Sequence, residues 1–465
     1  MTGGETPAAG IRVALVRPRF EGEDVEFQEP LGAEAICGYL REHQVEARVF
    51  DRRLGTGIHE IEAYGPDWIG FSLMTDADAP DALRMQQMLA REGRRFFAGG
   101  LFVTTCPERA GALFPAGTVL ISGEGEGPAL ELVTTGKVQG VLKPGPDEWA
   151  FASRDRMREY LDRGGVINIR TSRGCKGNCA FCTTPGEGIP GRHETRSIGR
   201  VADEMARLVR EGYPPIFNFT DDMFGDDTRI AALADALKQR GVRAAFSLEM
   251  RAYEVSRTPP DAWPALHAGG LCRVFTGMES LDPGTLRAWH KPVDLPRLTE
   301  AVKAMGRCGI ACETGYILWH DRTEPESARA EAEKLSELEL LSPKTALSRL
   351  VIFPGSELHR QGHREGMYLC PLRPEAEALY AEWEEVLSRL TPLWSAASCA
   401  LPKSACEAFL REEASEPLRR LEACLRRIRH LTGEALAAGR APAEKDCEEI
   451  RGELLALHVA GAGRL

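Results

Sequence analysis

Three cysteines stand close together in a chain that otherwise scatters its thirteen: Cys175, Cys179 and Cys182, within Thr171-Ser-Arg-Gly-Cys-Lys-Gly-Asn-Cys-Ala-Phe-Cys. The spacing C-x3-C-x2-C lets three thiolates converge on one small cluster from a single loop, and Gly174 and Gly177 permit the backbone turns this requires. Three ligands on a [4Fe-4S] cluster leave one iron open. An open iron can chelate an amino acid through its amino and carboxylate groups, and the reduced cluster can pass an electron to a sulfonium held beside it. The product is a carbon radical able to abstract hydrogen. Zinc is the alternative for such thiols, but it normally takes four ligands, and no Cys or His follows Cys182 until His193.

The bulk of the chain narrows the setting. With 465 residues, 43% hydrophobic and 27% charged, it can bury two or three cores. A formal net charge of −11 argues against a generic nucleic-acid surface. The odd number of cysteines suits a reducing compartment with a metal site rather than a disulfide scaffold. No run of about 18 apolar residues occurs, and the first ten residues lack the basic-then-apolar order of a secretory signal. The expected setting is the cytoplasm, with a small-molecule substrate, no nucleic acid and no membrane.

Those cysteines must be carried by regular elements, and the apolar pattern supplies them. From Ile11 to Val16, Ala47 to Phe50, Trp68 to Leu73, Arg95 to Ala98 and Val119 to Ser122, strand-like runs alternate with helical stretches at about Leu31 to His43 and Asp81 to Arg91. Gly123-Glu124-Gly125-Glu126-Gly127 opens another helix. This βαβ rhythm predicts an α/β, doubly wound, Rossmann-like domain over residues 10–140. A less periodic linker, 141–163, leads to a second series of strands: Val166 to Arg170, Ile216 to Thr220, Ala244 to Leu248, Arg273 to Gly277, Cys312 to Leu318 and Ala346 to Phe353. Helices such as Arg200 to Glu211 and Arg229 to Arg240 intervene, and six βα repeats predict a partial barrel over 164–370. From Pro371 only helical periodicity remains, at about Pro374 to Leu390 and from Ser404 onward, predicting a helical C-terminal domain over 371–465 that shapes the substrate pocket.

The cysteine spacing, with Phe181 directly before the third cysteine, resembles the radical S-adenosylmethionine (SAM) superfamily. The resemblance implies a partial (βα)6 barrel with SAM held across its strand ends, Phe181 beside the cluster, and Thr220, Asp221 and Asp222 lining the SAM amino group. Gly277-Met278-Glu279-Ser280 is similar to the G-x-E-S element that meets the ribose in related enzymes, with Lys291 in the usual downstream position. Ile317 lies in the strand on which relatives pack the adenine, although many carry a glycine where Trp319 stands. Arg251, just beyond the third strand, offers a fork that matches a carboxylate's two oxygens.

The N-terminal region resembles the cobalamin (B12)-binding domain that precedes the barrel in one radical SAM subgroup, the class B methyltransferase-like enzymes. The matching stretches are Pro30-Leu31-Gly32 with Tyr39-Leu40, Pro66-Asp-Trp-Ile-Gly-Phe-Ser72, Ala98-Gly99-Gly100 and Gly123-Glu124-Gly125-Glu126. They imply a corrin pocket at the carboxyl edge of the sheet, built from Leu31, Gly32, Ser72, Leu73, Thr75, Gly99, Gly100, Gly123, Glu124, Gly125 and Glu126. Small residues there let a large planar ring approach the backbone. No Asp-x-His-x-x-Gly string occurs, and the subgroup generally binds cobalamin without a histidine below cobalt. The implied reaction is methylation of an unactivated carbon of a small-molecule or natural-product intermediate, with one SAM making the radical, a second remethylating cobalt, and a flavodoxin- or ferredoxin-type protein as reductant.

Other readings use the same residues. Radical chemistry without methyl transfer, such as dehydration, epimerisation, decarboxylation or ring formation, would keep the cluster and SAM residues. A non-catalytic cobalamin or SAM sensor would keep only the binding. A tRNA methylthiotransferase would need three further cluster cysteines ahead of the motif, where only Cys37 and Cys106 stand. Tyr316, His320 and Cys312 are the candidate proton or hydrogen donors at the barrel mouth.

Overall fold

The computed structural model describes residues 10–19, 29–138, 144–183, 193–362, 366–411 and 416–457. Its first sheet is wholly parallel and contains β1 (Arg12–Arg17), β2 (Glu46–Asp51), β3 (Trp68–Ser72), β4 (Arg95–Gly99) and β5 (Val119–Ile121), in the order β2-β1-β3-β4-β5. β1 is apolar on both sides because helices cover both faces. Val13 and Leu15 pack with Ala33, Cys37 and Leu40 of helix Leu31–Glu42, whereas Ala14 and Val16 pack with Ala82 and Met85 of helix Ala79–Leu89. The strand order reverses between β1 and β3, which places a ligand crevice outside the carboxyl ends of the central strands.

The second sheet is also parallel, with its strands side by side in chain order. After β6 (Ile167–Ile169), a short antiparallel pair joins β7 (Ser172–Gly174) to β8 (His193–Thr195). The sheet continues with β9 (Ile216–Phe219), β10 (Ala245–Arg251), β11 (Leu271–Glu279) and β12 (Ala311–Tyr316). On β10, Phe246, Leu248 and Met250 pack into the helix-facing core, which leaves Ser247, Glu249 and Arg251 on the opposite face. Val274 and Met278 of β11 likewise face the helices, so Arg273, Phe275, Gly277 and Glu279 join that inner face.

The sixth strand departs from the expected Ala346 to Phe353. Ser342 caps and Pro343 starts a helical turn, Pro343–Ala346, a conformation that both residues favour at those positions. Extended structure is confined to β13 (Val351–Ile352), paired antiparallel with β14 (Tyr368–Leu369), and the parallel link to the fifth strand is a single bridge between Trp319 and Arg349.

The stretch that joins the two sheets is packed along its described length. Ser153 N–H donates to the Glu34 carbonyl at 3.1 Å, and the Phe151 carbonyl lies where a Cβ on Gly38 would stand. Buried Arg154 pairs with Glu29 ahead of the first helix and with Glu204 of helix Ile198–Arg210, and donates to the carbonyl of Asn168 on β6.

The C-terminal part forms helices Pro374–Leu387, Leu390–Arg411, Glu416–Ala438 and Glu444–Ala456. The second begins at Leu390 rather than near Ser404 and runs through Pro402. It sets Ala405 and Cys406 against Ala245 and Cys272 at the starts of β10 and β11. Trp319 is fully buried, edge-on to Tyr380 and Trp383 of the first of these helices. The second of these helices thus covers the starts of β10 and β11, opposite the end that carries the cysteines, whereas the first packs beside Trp319, beyond the end of the fifth strand. Among the described residues, no helix is long and apolar enough to cross a membrane.

Candidate active site

The cysteine loop is anchored at its base by Asp221. Thr171 N–H, the Thr171 hydroxyl and Ser172 N–H donate to its carboxylate at 2.7, 2.6 and 2.7 Å. Burial pushes the Asp221 carboxyl up to about 6, against the pull of those donors. Asp221 therefore holds the loop, while its neighbours differ: Asp222 is exposed, and the Thr220 hydroxyl is buried with no hydrogen-bond partner among the described residues.

Cys175 and Cys179 flank Gly177, where a Cβ would lie 3.4 and 3.8 Å from the two sulfurs; Gly177 N–H points at Cys175 Sγ at 3.3 Å. Burial pushes both thiols up. The Gly177 N–H and Arg251 pull Cys175 down, Lys291 pulls Cys179 down, and both feel Cys182. Cations beside a thiol group favour its thiolate, the form that binds iron. Among the described residues, no group of three such side chains converges as a single bound ion requires. Three thiols on one turn, with two cations beside them, fit a [4Fe-4S] cluster with one iron left for another ligand.

Above the cysteines stands Glu279. Its φ of 67° is left-handed, and the β11–β12 register shifts between Gly277 and Glu279, a bulge that re-aims the side chain. The carboxylate folds back over Gly277, whose Cβ would lie 2.1 Å from Glu279 Oε1 and 2.7 Å from Lys291 Nζ. Only glycine leaves room for the 2.9 Å Lys291–Glu279 ion pair. Lys291 also sits 5.8 Å above the Phe181 ring, which meets Trp289 edge-on at 5.5 Å. Ile317 N–H donates to the Glu279 carbonyl at 2.8 Å, and buried Ser280 accepts from Asp282 N–H at 3.0 Å. Arg251 lies 3.2 Å from Glu254. Phe181, Arg251, Glu279 and Lys291 are thereby gathered around the triad.

Of the three candidate donors, Cys312 and Tyr316 are turned away from the barrel mouth. Cys312 is opposite Val274 on the helix-facing side, where burial pushes its thiol up to about 12. Tyr316 also joins that core; its hydroxyl donates to Glu331 and accepts from Leu281 N–H. Strand alternation, together with the bulge at Glu279, turns both away from the inner face. His320 is buried edge-on to Trp289 at 5.0 Å, one ring removed from Phe181.

At the carboxyl edge of the first sheet, β3 and β4 close on each other. Gly100 has φ 101° and presents its bare Cα to the Leu73 carbonyl, 2.4 Å from where a Cβ would stand. Ser72 ends β3, and Asp78, paired with Arg17 at 2.5 Å, accepts from Met74 and Thr75 N–H. Leu31 and Gly32 open the first helix, with open space at Gly32. Gly99 ends β4, and Gly123, left-handed with open space around it, donates to Thr104 Oγ1 at 2.9 Å. Gly125 sits against Ile36. Glu124 and Glu126 turn to Arg173 instead of to the open edge. An open cleft lies here, walled by Met74, Thr75, Leu101 and Phe102 on one side and by Thr183, Phe353 and Pro354 on the other. A bare-backbone edge with an apolar wall fits a large planar ring. Among the described residues, none beyond Met367 lines this cleft.

Arg173 and Glu249 escaped the motif-based reading. Arg173 stands in the cysteine segment but at no ligand position, and its pairing with Glu124 and Glu126 leaves no local periodic signal; Glu249 stands in no motif.

Two family models match the chain. Residues 169–330 match the radical SAM superfamily and residues 25–133 the B12 binding domain. An uncharacterized methyltransferase of Pyrococcus horikoshii is 26% identical, covering 65% of this chain and 71% of its own length. The hopanoid C-2 methylase of Rhodopseudomonas palustris is 25% identical over 63% of this chain and 58% of its own. Among solved structures, the cobalamin-dependent SAM radical enzyme OxsB, with aqua-cobalamin and SAM bound, superimposes with a TM-score of 0.74 at 16% identity, covering 97% of this chain and 79% of that one, a likeness of fold. With both domains matched in order, the chain carries a radical SAM domain preceded by a B12-binding domain, the arrangement of the cobalamin-dependent radical SAM enzymes.

Proposed function

We propose that this chain is a cobalamin-dependent radical SAM methyltransferase that methylates an unactivated carbon of a small molecule. The observation that carries the proposal is the shared cleft: one wall is the carboxyl edge of the first sheet, and the other includes Thr183, the residue directly after Cys182. A substrate there would face both cofactor positions at once. The methylating relatives support the same reaction class.

When bound, the cluster supplies the electron that splits SAM, and cobalamin supplies the transferable methyl group. The chain's residues do the rest. Cys175, Cys179 and Cys182 hold the cluster. Arg251 takes the SAM carboxylate, Asp222 and Thr220 face its amino group, Glu279 holds the ribose with Lys291 fixing its carboxylate, and Phe181 and Ile317 supply apolar contacts. Gly99, Gly100 and Gly123 let the corrin approach the backbone, with Leu31, Gly32, Ser72, Leu73 and Thr75 around it. Met74, Leu101, Phe102 and Phe353 would give the reacting carbon an apolar surrounding. The reductant is a flavodoxin- or ferredoxin-type protein, and nucleic acid is not a partner.

Anaerobic protein made with ample iron and cobalamin tests the reading. Expected are [4Fe-4S] absorption and EPR signals lost in the C175A/C179A/C182A variant, reductive release of 5′-deoxyadenosine from SAM, and bound corrin. A cluster retained in the triple variant would overturn the ligand assignment, and protein that binds no corrin on reconstitution would shift the function to non-methylating radical chemistry.

A further inference from the structure

Glu124 and Glu126 lie in the turn that meets the corrin edge, yet their carboxylates are taken up by a residue of the other half. Arg173, in β7 two positions before Cys175, forms an ion pair with Glu124 at 3.1 Å and with Glu126. Its guanidinium carbon lies over the Trp149 ring, 4.1 Å from the centroid. The side chain is 14% exposed and that of Glu126 is 5% exposed, so water screens the pair weakly. Both ends are held rigidly. Glu126 is the first residue of helix Glu126–Thr135, where the helix dipole favours a carboxylate, and the turn before it is fixed by Gly123 on Thr104 and by Gly125 against Ile36. On the other side, Asp221 bonds the backbone of Thr171 and Ser172, immediately before Arg173.

We propose that Arg173 is a positioning residue: it clamps the Gly123–Glu126 turn to the cysteine loop and so sets the separation between the corrin edge and the cluster. The inference rests on the cobalamin reading above. A planar guanidinium held over an aromatic ring, hydrogen-bonded to Glu126 and ion-paired with Glu124, restricts orientation as well as distance, which a lysine's point charge does not. Transfer between two cofactors and one substrate carbon tolerates displacements of only about 1 Å, so the reaction needs such a constraint between its two halves.

Hydroxocobalamin titration of the full chain, followed by absorbance, tests the clamp without relying on turnover. R173M and E126Q should each weaken corrin binding by about tenfold, the scale on which residues that support a metal site act, while both keep the iron-sulfur absorbance. R173K should fall between wild type and R173M. The R173M/E126Q double variant should be no weaker than R173M, because loss of the arginine already removes its contact with Glu126. Wild-type protein that binds no hydroxocobalamin overturns the cobalamin reading and the clamp together. Wild-type binding that is matched by R173M and E126Q overturns the clamp alone, as does a double variant whose losses add.

Discussion

Glu249 is the residue whose surroundings say most about the inner face of the barrel. It stands between Ser247 and Arg251 on that face, reaches solvent, and has no side-chain hydrogen bond among the described residues. Although the residue is exposed, the barrel wall around it desolvates the carboxyl and pushes it up to about 7; Arg273 opposes this, and Asp222, Asp221 and Glu313 add to it. A carboxyl raised by folding binds its proton more tightly in the native state. Its contribution to stability is therefore fully present below the ordinary carboxylate range and is lost as pH rises through about 7. E249Q cannot ionise and escapes that loss. In urea titrations of the cofactor-free chain, its stability relative to wild type should rise between pH 5 and pH 8; an equal difference at both would show that Glu249 titrates as an ordinary surface carboxyl. Such a residue is hard to read from sequence, since Ser-Leu-Glu-Met-Arg says strand but not which charges face it across the lumen. Asp221 shows the same limit: its position at a strand end was legible, its hydrogen bonds to the cysteine loop were not.

At the scale of elements, what could be read was what local periodicity encodes. The cysteine turn, the apolar strands of both sheets and the helix starts all carry their signal within a few residues. The short sixth strand does not. Ser342 and Pro343 favour a helical turn locally, and only the bridge from Trp319 to Arg349 ties the segment to the sheet. Trp319 could be placed on the fifth strand, but its burial against Tyr380 and Trp383 depends on a helix more than fifty residues away. Gly38 is a further case in which tertiary contact reverses local preference. Gly to Ala within a helix normally stabilises by about 0.5–1 kcal/mol. A Cβ at Gly38, however, would lie 2.1 Å from the Phe151 carbonyl, a backbone atom that cannot swing aside. G38A should therefore destabilise by about 1–3 kcal/mol. G306A, where a Cβ meets nothing within 4 Å, should be stabilising or neutral in the same chemical denaturation assay. If the two variants behave alike, the first helix does not pack on the connecting stretch as described.

Across the whole molecule, chemistry that joins two cofactors requires the two sheets to behave as one body, and the contacts that achieve this are charged and buried. Arg154 is the centre of the largest of them. It reaches Glu29 ahead of the first helix, Glu204 of helix Ile198–Arg210 and the Asn168 carbonyl of β6, while Arg196 completes the Glu204 pairing at 2.6 Å. Desolvating so many charges makes the net gain from forming this network small, but removing one partner leaves a buried charge uncompensated. In R154M, Glu204 would keep Arg196 whereas Glu29 would lose its cation, at a cost of about 3–5 kcal/mol. The loss falls on the junction rather than on either core. Calorimetry of the cofactor-free chain should accordingly show one transition for wild type and, for R154M, a lowered first transition separating from a later one. A single R154M transition at the wild-type midpoint would mean that the apolar contacts around Phe151 hold the halves together without the ion network.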